Sequence, residues 1–351
     1  MLSKEAFMYF EELVGNEQTK SMLVIAAKSA KGRNTSVPHV LFGGSAGCGK
    51  TSFANALANF LNVPFFQVDA AGIKTSDDVF RIVEKFPLSG YNDKGEATGE
   101  VTPPIVFIDE IHQLSLKGTE LLGIAMENFI LPMEVGRGKT KEKRVIWVPR
   151  FSLVGATTLT GRLPKPLRDR FKLQCKFDTY SIIECTKIVF VHAKKLDINI
   201  SPLSAMLIGR RCRGVARMAV RFLEMARDHS MVHGKDIVDE EVVCAMFEFL
   251  DIDMDGFTAQ DRKILSCLYK NKEPLGLDSI AVLLNESQDT VAKEVEPYLI
   301  VKGLVLRTAR GRILTDEGVA FVKQMLGDTS EKGDILERLT IKDKEDELSL
   351  S

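Results

Sequence analysis

Residues 39–61 read "HVLFGGSAGCGKTSFANALANFL", and two structural periods meet in this stretch. "HVLF" is apolar and β-branched, as a buried strand is, whereas "SFANALANFL" repeats apolar residues at helical spacing. Between them Gly43, Gly44, Gly47 and Gly49 place four glycines in nine residues, so the connection reads as a strand-to-helix turn. A turn of this kind lets backbone N–H groups point inward at one object, and the helix that follows aims its positive dipole end at the same place. The expected object is an anion.

The stretch fits G-x-x-x-x-G-K-[ST] with Gly44, Gly49, Lys50 and Thr51 on the fixed positions. Candidate nucleotide contacts are Gly44, Gly47, Cys48, Gly49, Lys50, Thr51 and Ser52. Lys50 is expected to reach the β- and γ-phosphates of ATP, and the Thr51 hydroxyl to ligate Mg2+.

Up to about Phe177, apolar strands ("PFFQV", "PIVFID", "FSLVGAT") alternate with helical segments, the pattern of a parallel α/β sheet. From Thr179 to about Leu250 strands vanish and four helical segments follow. After "DIDMDG" come three short helices, with Pro297 expected to end or kink the third, then strands "LVLR" and "RILT" joined by "TARG", and a last helix. That is the outline of a winged helix. The expected domains are therefore 1–178 (α/β ATPase), 179–255 (helical lid), 256–326 (winged helix) and 327–351 (a charged tail expected to be disordered). Residues 88–103 read as an exposed loop.

The 351 residues are 45% hydrophobic, yet no apolar run approaches the roughly 20 residues a membrane span needs, and no signal peptide stands out. A soluble, cytoplasmic protein without membrane contact is expected. The six cysteines (48, 175, 185, 212, 244 and 267) show no C-x-x-C and no paired histidines, so neither disulfides nor zinc are indicated. Net charge is −1, which leaves any contact with DNA to local patches. Arg307, Arg310 and Arg312 cluster on one hairpin and form such a patch.

"PIVFIDEIH" is an apolar strand ending in Asp109 and Glu110, at the strand end that faces ligand in a nucleotide-binding sheet. Asp109 is expected to hold Mg2+ and Glu110 to deprotonate the attacking water. "FSLVGATT" ends in Thr157 and Thr158, either of which could sense the γ-phosphate. In "PLRDRF", one of Arg168 and Arg170 can pair with Asp169 while the other projects into a neighbour's site. "RGVAR" places Arg217 in the first turn of a helix, against the dipole, a cost that a bound anion would offset. "RGKTKEKRVIWVPR", residues 137–150, reads as a hairpin with a basic loop. Alternation puts Ile146 and Val148 on one face and Trp147 on the other, so these residues either pack in the core or meet a partner.

Together "FEELVGNEQ", "GGSAGCGKT", "IVFIDEIHQL", "AMENF", "PLRDRF", "RCRGVAR" and "EPYLIVKGLVLRTARGR" resemble, in order and spacing, the RuvB family of AAA+ motors. The resemblance reaches to about residue 326. It implies an ATP-driven homohexameric ring that promotes branch migration of Holliday junctions, with sites between subunits. Lys50 and Thr51 match Walker A, Asp109 and Glu110 Walker B, and Thr157 or Thr158 sensor 1. Arg170 matches the trans-acting finger, Arg217 sensor 2, and Arg310 and Arg312 the DNA-touching wing tip. The hairpin of Ile146, Trp147 and Val148 matches the one that docks a RuvA-like junction-binding partner. The chain departs from the family in its loop, where two prolines are lost and Cys48 enters. A clamp-loader-like or initiation ATPase, or a DNA-binding switch that uses ATP only to assemble, are the alternatives.

Overall fold

The computed structural model describes residues 10–92, 98–135, 142–271 and 273–327. The expected tail and much of the basic hairpin loop, including Arg137, Lys139 and Lys141, lie outside the described residues. The chain divides into two compact units, Met1–Met246 and Phe247–Ser351.

In the first unit β1 (Val40–Gly44), β2 (Phe65–Asp69), β3 (Ile105–Asp109), β6 (Ser152–Thr157) and β7 (Leu173–Phe177) form one sheet in the order β2-β3-β6-β1-β7, with every pair parallel. The helices are α1 (Glu17–Gly32), α2 (Lys50–Leu61), α3 (Ser76–Val83), α4 (Leu116–Asn128) and the short α5 (Lys165–Arg168). Residues 105–108 of β3 are buried throughout, as expected of a central parallel strand covered on both faces. Val106 and Ile108 face a core shared with Val79 and Val83 of α3 and Leu122 and Met126 of α4, while α2 packs on the opposite side. This order brings the carboxyl ends of β1, β3 and β6 side by side, so the glycine turn, Asp109 and Thr157 emerge at one rim. Truncating the fully buried Phe107 to alanine would cost about 3–5 kcal/mol.

A separate hairpin pairs β4 (Ile130–Val135) with β5 (Glu142–Trp147). The segment expected to be an exposed loop is partly tied down. Asn34 accepts the Val101 N–H and donates to the Gly99 carbonyl, and the Tyr91 hydroxyl accepts the Arg150 N–H at 3.1 Å.

The lid consists of α6 (Ile182–Lys195), α7 (Pro202–Arg211), α8 (Ala216–Val232) and α9 (Glu240–Phe249), in the course of which the first unit ends. A reciprocal cap between Ser181 and Glu184 starts α6. Just before it, Tyr180 donates its hydroxyl to the Cys48 carbonyl at 3.0 Å and its N–H to Gly214. One residue thereby links the glycine turn to the turn ahead of α8.

The second unit runs α10 (Ala259–Lys270), α11 (Leu277–Leu284), α12 (Gln288–Thr290), a π-helical turn (Val291–Val295), α13 (Glu296–Val301), the hairpin β8 (Val305–Thr308) and β9 (Gly311–Leu314), and α14 (Asp316–Gly327). Phe257, Leu265, Val295, Leu299 and Val322 fill its core. Pro297 does not end the third helix. It lacks the N–H that the Lys293 carbonyl would take, and the widened turn just before it accommodates the gap. Among the described residues no helix is long and apolar enough to cross a membrane.

Glu296 is 3% exposed and accepts hydrogen bonds from both Arg307 (3.1 and 2.9 Å) and Arg312 (2.8 and 3.0 Å). Burial pushes its carboxyl up, but the two guanidinium groups outweigh burial and hold it below the usual range. A depressed folded-state value stabilises above the unfolded value and is lost as pH falls through the folded one. Glu296→Gln should therefore cost about 2 kcal/mol at pH 7, and the difference from the parent should shrink steadily below about pH 4. Urea unfolding followed across that range checks this. A gap independent of pH would show that the pair contributes through shape alone.

Candidate active site

Gly47 and Gly49 carry the left-handed backbone that the turn requires, with φ of +75° and +85°. A side chain at Gly47 would also collide with the lid, since its Cβ would stand 2.7 Å from Val215 Cγ1. Arg217, in the first turn of α8, donates its N–H to the Gly47 carbonyl at 3.3 Å. The turn is thus closed over by the lid.

A cavity of about 610 Å3 opens at this junction. Gly47, Gly49, Lys50, Thr51 and Ser52 line it from the turn, Asp109 and Glu110 from β3, and Arg217 from the lid. Lys50 is 6% exposed, and its Nζ donates to the carbonyls of Gly44 (2.8 Å) and Ser45 (2.9 Å). Burial pushes the ammonium below the usual lysine range; Glu110 and Asp109 oppose the shift and Arg217 adds to it. Among the described residues neither Lys50 nor Arg217 has an ion pair, so both are available to an anion in the cavity. A nucleoside triphosphate fits this donor set. Thr51 and Asp109 supply the oxygen ligands that Mg2+ prefers.

The acids are held in different ways. Asp109 Oδ1 accepts the Glu110 N–H at 3.0 Å. Glu110 has φ +44°, rare for a non-glycine residue, and starts a 3-10 turn, Ile111–Gln113. Its carboxylate accepts from the Thr158 N–H (3.2 Å) and hydroxyl (3.1 Å), and His112 Nδ1 lies 3.0 Å from Oε2.

Thr157 and Cys48 stand apart from the residues that line the cavity. Thr157 is fully buried, with Oγ1 2.9 Å from His112 Nδ1 and accepting the Leu159 N–H, so Thr158 is the threonine beside the acid. The Cys48 side chain is also fully buried and lines no part of the cavity. Only its backbone remains available to a phosphate.

Several lining residues escaped the sequence reading. His192 of α6 and Arg221 and Glu224 of α8 border the same cavity. Arg221 stands four residues after Arg217, so helical spacing alone could have found it. An apolar annex of about 40 Å3, bounded by Leu13, Val14, Tyr180 and Ile188, shares Gly49 and Ser52 with the main cavity.

Arg170 lies outside the cavity. Its guanidinium meets Glu127 of α4 at 3.1 and 2.7 Å and the Pro166 carbonyl at 2.6 Å, so its local partner is Glu127 and not the neighbouring Asp169. On the hairpin, Val148 is buried in the core beside Phe151, which corrects its assignment to a partner surface. Trp147 lies tilted against Tyr91 with ring centroids 5.7 Å apart, Ile146 is half-buried, and Val145, overlooked in the sequence, is 65% exposed. In the second unit Arg307 and Arg312 are committed to Glu296, and Arg312 is only 13% exposed. Among the described residues Arg310, exposed in the β8–β9 turn, has no ion pair.

The sequence matches three family profiles in succession: the Holliday junction DNA helicase RuvB P-loop domain at 7–177, the RuvB AAA lid domain at 180–253, and the RuvB C-terminal winged helix domain at 254–323. The chain belongs to the RuvB family. A Holliday junction branch migration complex subunit RuvB of Clostridium kluyveri is 36% identical over 308 residues, 87% of this chain and 84% of the relative. That of Campylobacter fetus is 36% identical over 306 residues, 87% and 85% of the two chains. The solved Thermotoga maritima RuvB Holliday junction branch migration motor superposes with a TM-score of 0.73 at 31% identity, covering 90% of this chain and 97% of that one. RuvB-family membership makes this chain a P-loop ATPase of the AAA+ class, with a lid and a winged helix.

Burial pushes the Cys48 thiol up, and the side chain faces the core. Cys48→Ala should therefore leave the affinity for a fluorescent ATP analogue within about twofold while costing about 1 kcal/mol of stability. A tenfold loss of affinity without a stability change would contradict the orientation of this side chain.

Proposed function

We propose that this protein is a ring-shaped ATP-driven motor that moves four-way DNA junctions, working as a homohexamer whose sites lie between subunits. The observation that carries this reading is the division of charge around one cavity. Lys50, Asp109, Glu110 and Arg217 converge on it, whereas Arg170 sits elsewhere on the same chain, bound to Glu127. A finger that does not reach its own site is available to a neighbour's. The relatives' names supply the junction as substrate.

In this reading the N–H groups of Gly47, Cys48 and Gly49 bind phosphate oxygens, with Gly44 and Ser52 shaping the two ends of the turn. Lys50 neutralises the β- and γ-phosphates. Thr51 and Asp109 would hold Mg2+, which when bound would supply positive charge to offset that of the phosphates. Glu110 takes the proton of the attacking water, Thr158 orients Glu110, and Arg217 senses the γ-phosphate from the lid. At the wing, Arg310 meets DNA phosphates while Arg307 and Arg312 hold the hairpin's shape. On the other hairpin, Val145 with the exposed parts of Ile146 and Trp147 meets a RuvA-like junction-binding protein. The domain limits at 178 and 255 follow the same division of labour.

Glu110→Gln should bind ATP with near-parental affinity yet lower turnover by about 100-fold or more. Arg170→Ala should bind but not hydrolyse, and rings that mix it with Glu110→Gln subunits should recover part of the activity. Parental turnover in Glu110→Gln sinks the base assignment, and absence of recovery in demonstrated mixed rings sinks the shared site. Stimulation by primed duplex but not by four-way junctions would favour a clamp-loader-like machine.

Two surface substitutions separate the contacts. Arg310→Ala should weaken junction binding for all sequences alike and reduce the slope of log affinity against log salt by about 0.9. Val145→Asp should remove stimulation by the junction-binding partner and leave basal hydrolysis intact. An unchanged salt slope, or unchanged stimulation, refutes the corresponding contact.

A further inference from the structure

Glu110 and His112 are two residues apart, a spacing that points side chains away from one another in a helix. Here they meet. The left-handed backbone at Glu110 reverses the chain as it enters the 3-10 turn and brings His112 back over the carboxylate. His112 Nδ1 stands 3.0 Å from Glu110 Oε2 and 2.9 Å from Thr157 Oγ1, and the imidazole is only 10% exposed.

The donors around the carboxylate are unequally shared. Oε2 faces the Thr158 N–H at 3.2 Å, the Thr158 hydroxyl at 3.1 Å and His112 Nδ1 at 3.0 Å. Oε1 has only the longer arm of the same hydroxyl, at 3.3 Å. The tautomer follows from this geometry. Nδ1 faces two oxygens at once, Thr157 Oγ1 in hydrogen-bond geometry at 2.9 Å and Glu110 Oε2 at 3.0 Å; an unprotonated Nδ1 would set its lone pair against the carboxylate, whereas Nδ1–H presents its one hydrogen to both. Thr157, which shares this N–H, is rigid, because it is fully buried at the end of a central strand and its hydroxyl already accepts the Leu159 N–H.

We propose that His112 is a positioning residue for hydrolysis: Nδ1–H, shared between Thr157 Oγ1 and Glu110 Oε2, ties Oε2 to the end of β6, leaving Oε1 to take the proton of the attacking water. A carboxylate free to rotate would spend part of its time with neither oxygen correctly aimed, and a general base acts only within hydrogen-bond reach of the proton it removes. His112 touches no phosphate in this account, so its loss acts on turnover and not on nucleotide binding. The inference rests on the reading of Glu110 as the base.

Three substitutions test it in the full-length protein with Mg-ATP and a four-way junction. His112→Phe keeps the ring volume and removes the donor. His112→Asn puts an amide N–H near the position of Nδ1, and His112→Gln carries it beyond. His112→Phe should lower kcat by about tenfold or more, with the affinity for a fluorescent ATP analogue within about twofold of the parent. His112→Asn should recover most of the loss and His112→Gln little of it. Parental kcat in His112→Phe, an equal loss in His112→Asn and His112→Phe, or a loss of nucleotide affinity matching the loss of kcat each overturns the proposal. If His112→Phe does not fold, as thermal unfolding would reveal, the ratio of His112→Asn to His112→Gln decides: several-fold supports the donor and unity refutes it. Glu110→Gln is measured alongside. Parental turnover there removes the base itself, whereas an inactive Glu110→Gln beside a fully active His112→Phe removes only the role of His112.

Discussion

Lys50 carries a positive charge that the chain buries at a helix N-terminus with only two carbonyls to receive it. Burying an ammonium without a counter-ion is expensive, and its lowered proton affinity reflects that expense. The arrangement makes sense only around an anion, and the surroundings answer to it. The helix dipole and Arg217 add further positive potential, while Asp109 and Glu110 line the same cavity from the end of β3. The lid is drawn into the same arrangement, because the Gly47 backbone approaches Val215 too closely for a side chain and Tyr180 bonds directly to the turn. The cavity is therefore lined by sheet and lid together.

The winged helix shows the reverse situation, a buried anion answered by two cations. Glu296 follows the π-helical turn that Pro297 imposes, and from there it clamps Arg307 and Arg312 across the β8–β9 hairpin. Removing one partner of such a buried pair leaves the other uncompensated. Of the arginines that read as a surface patch, Arg312 is largely buried against Glu296, Arg307 pairs with Glu296 yet stays exposed, and Arg310 in the turn has no ion pair among the described residues. On the β4–β5 hairpin the same redistribution takes place by packing: Val148 goes into the core, Trp147 is covered by Tyr91, and Val145 is left facing outward.

Sequence by itself determined the elements and their chemistry. Four glycines between a strand period and a helix period define the turn, the G-x-x-x-x-G-K-[ST] spacing defines its ligand class, and an apolar run ending in Asp109 and Glu110 defines the strand facing it. These are local properties, set by backbone conformational freedom and side-chain period within a few residues, so they can be read along the chain. Pairings between distant segments were beyond that reading. That Glu127 receives Arg170, that Glu296 receives Arg307 and Arg312, and that Thr158 and not Thr157 reaches Glu110 depend on which strand ends and helices become neighbours, and the order β2-β3-β6-β1-β7 is not written in any one segment. Even His112, only two residues from Glu110, needed the left-handed turn to meet it. Tertiary structure alone decided these partners, because a hydrogen bond is made within about 3 Å in space and takes no account of distance along the chain.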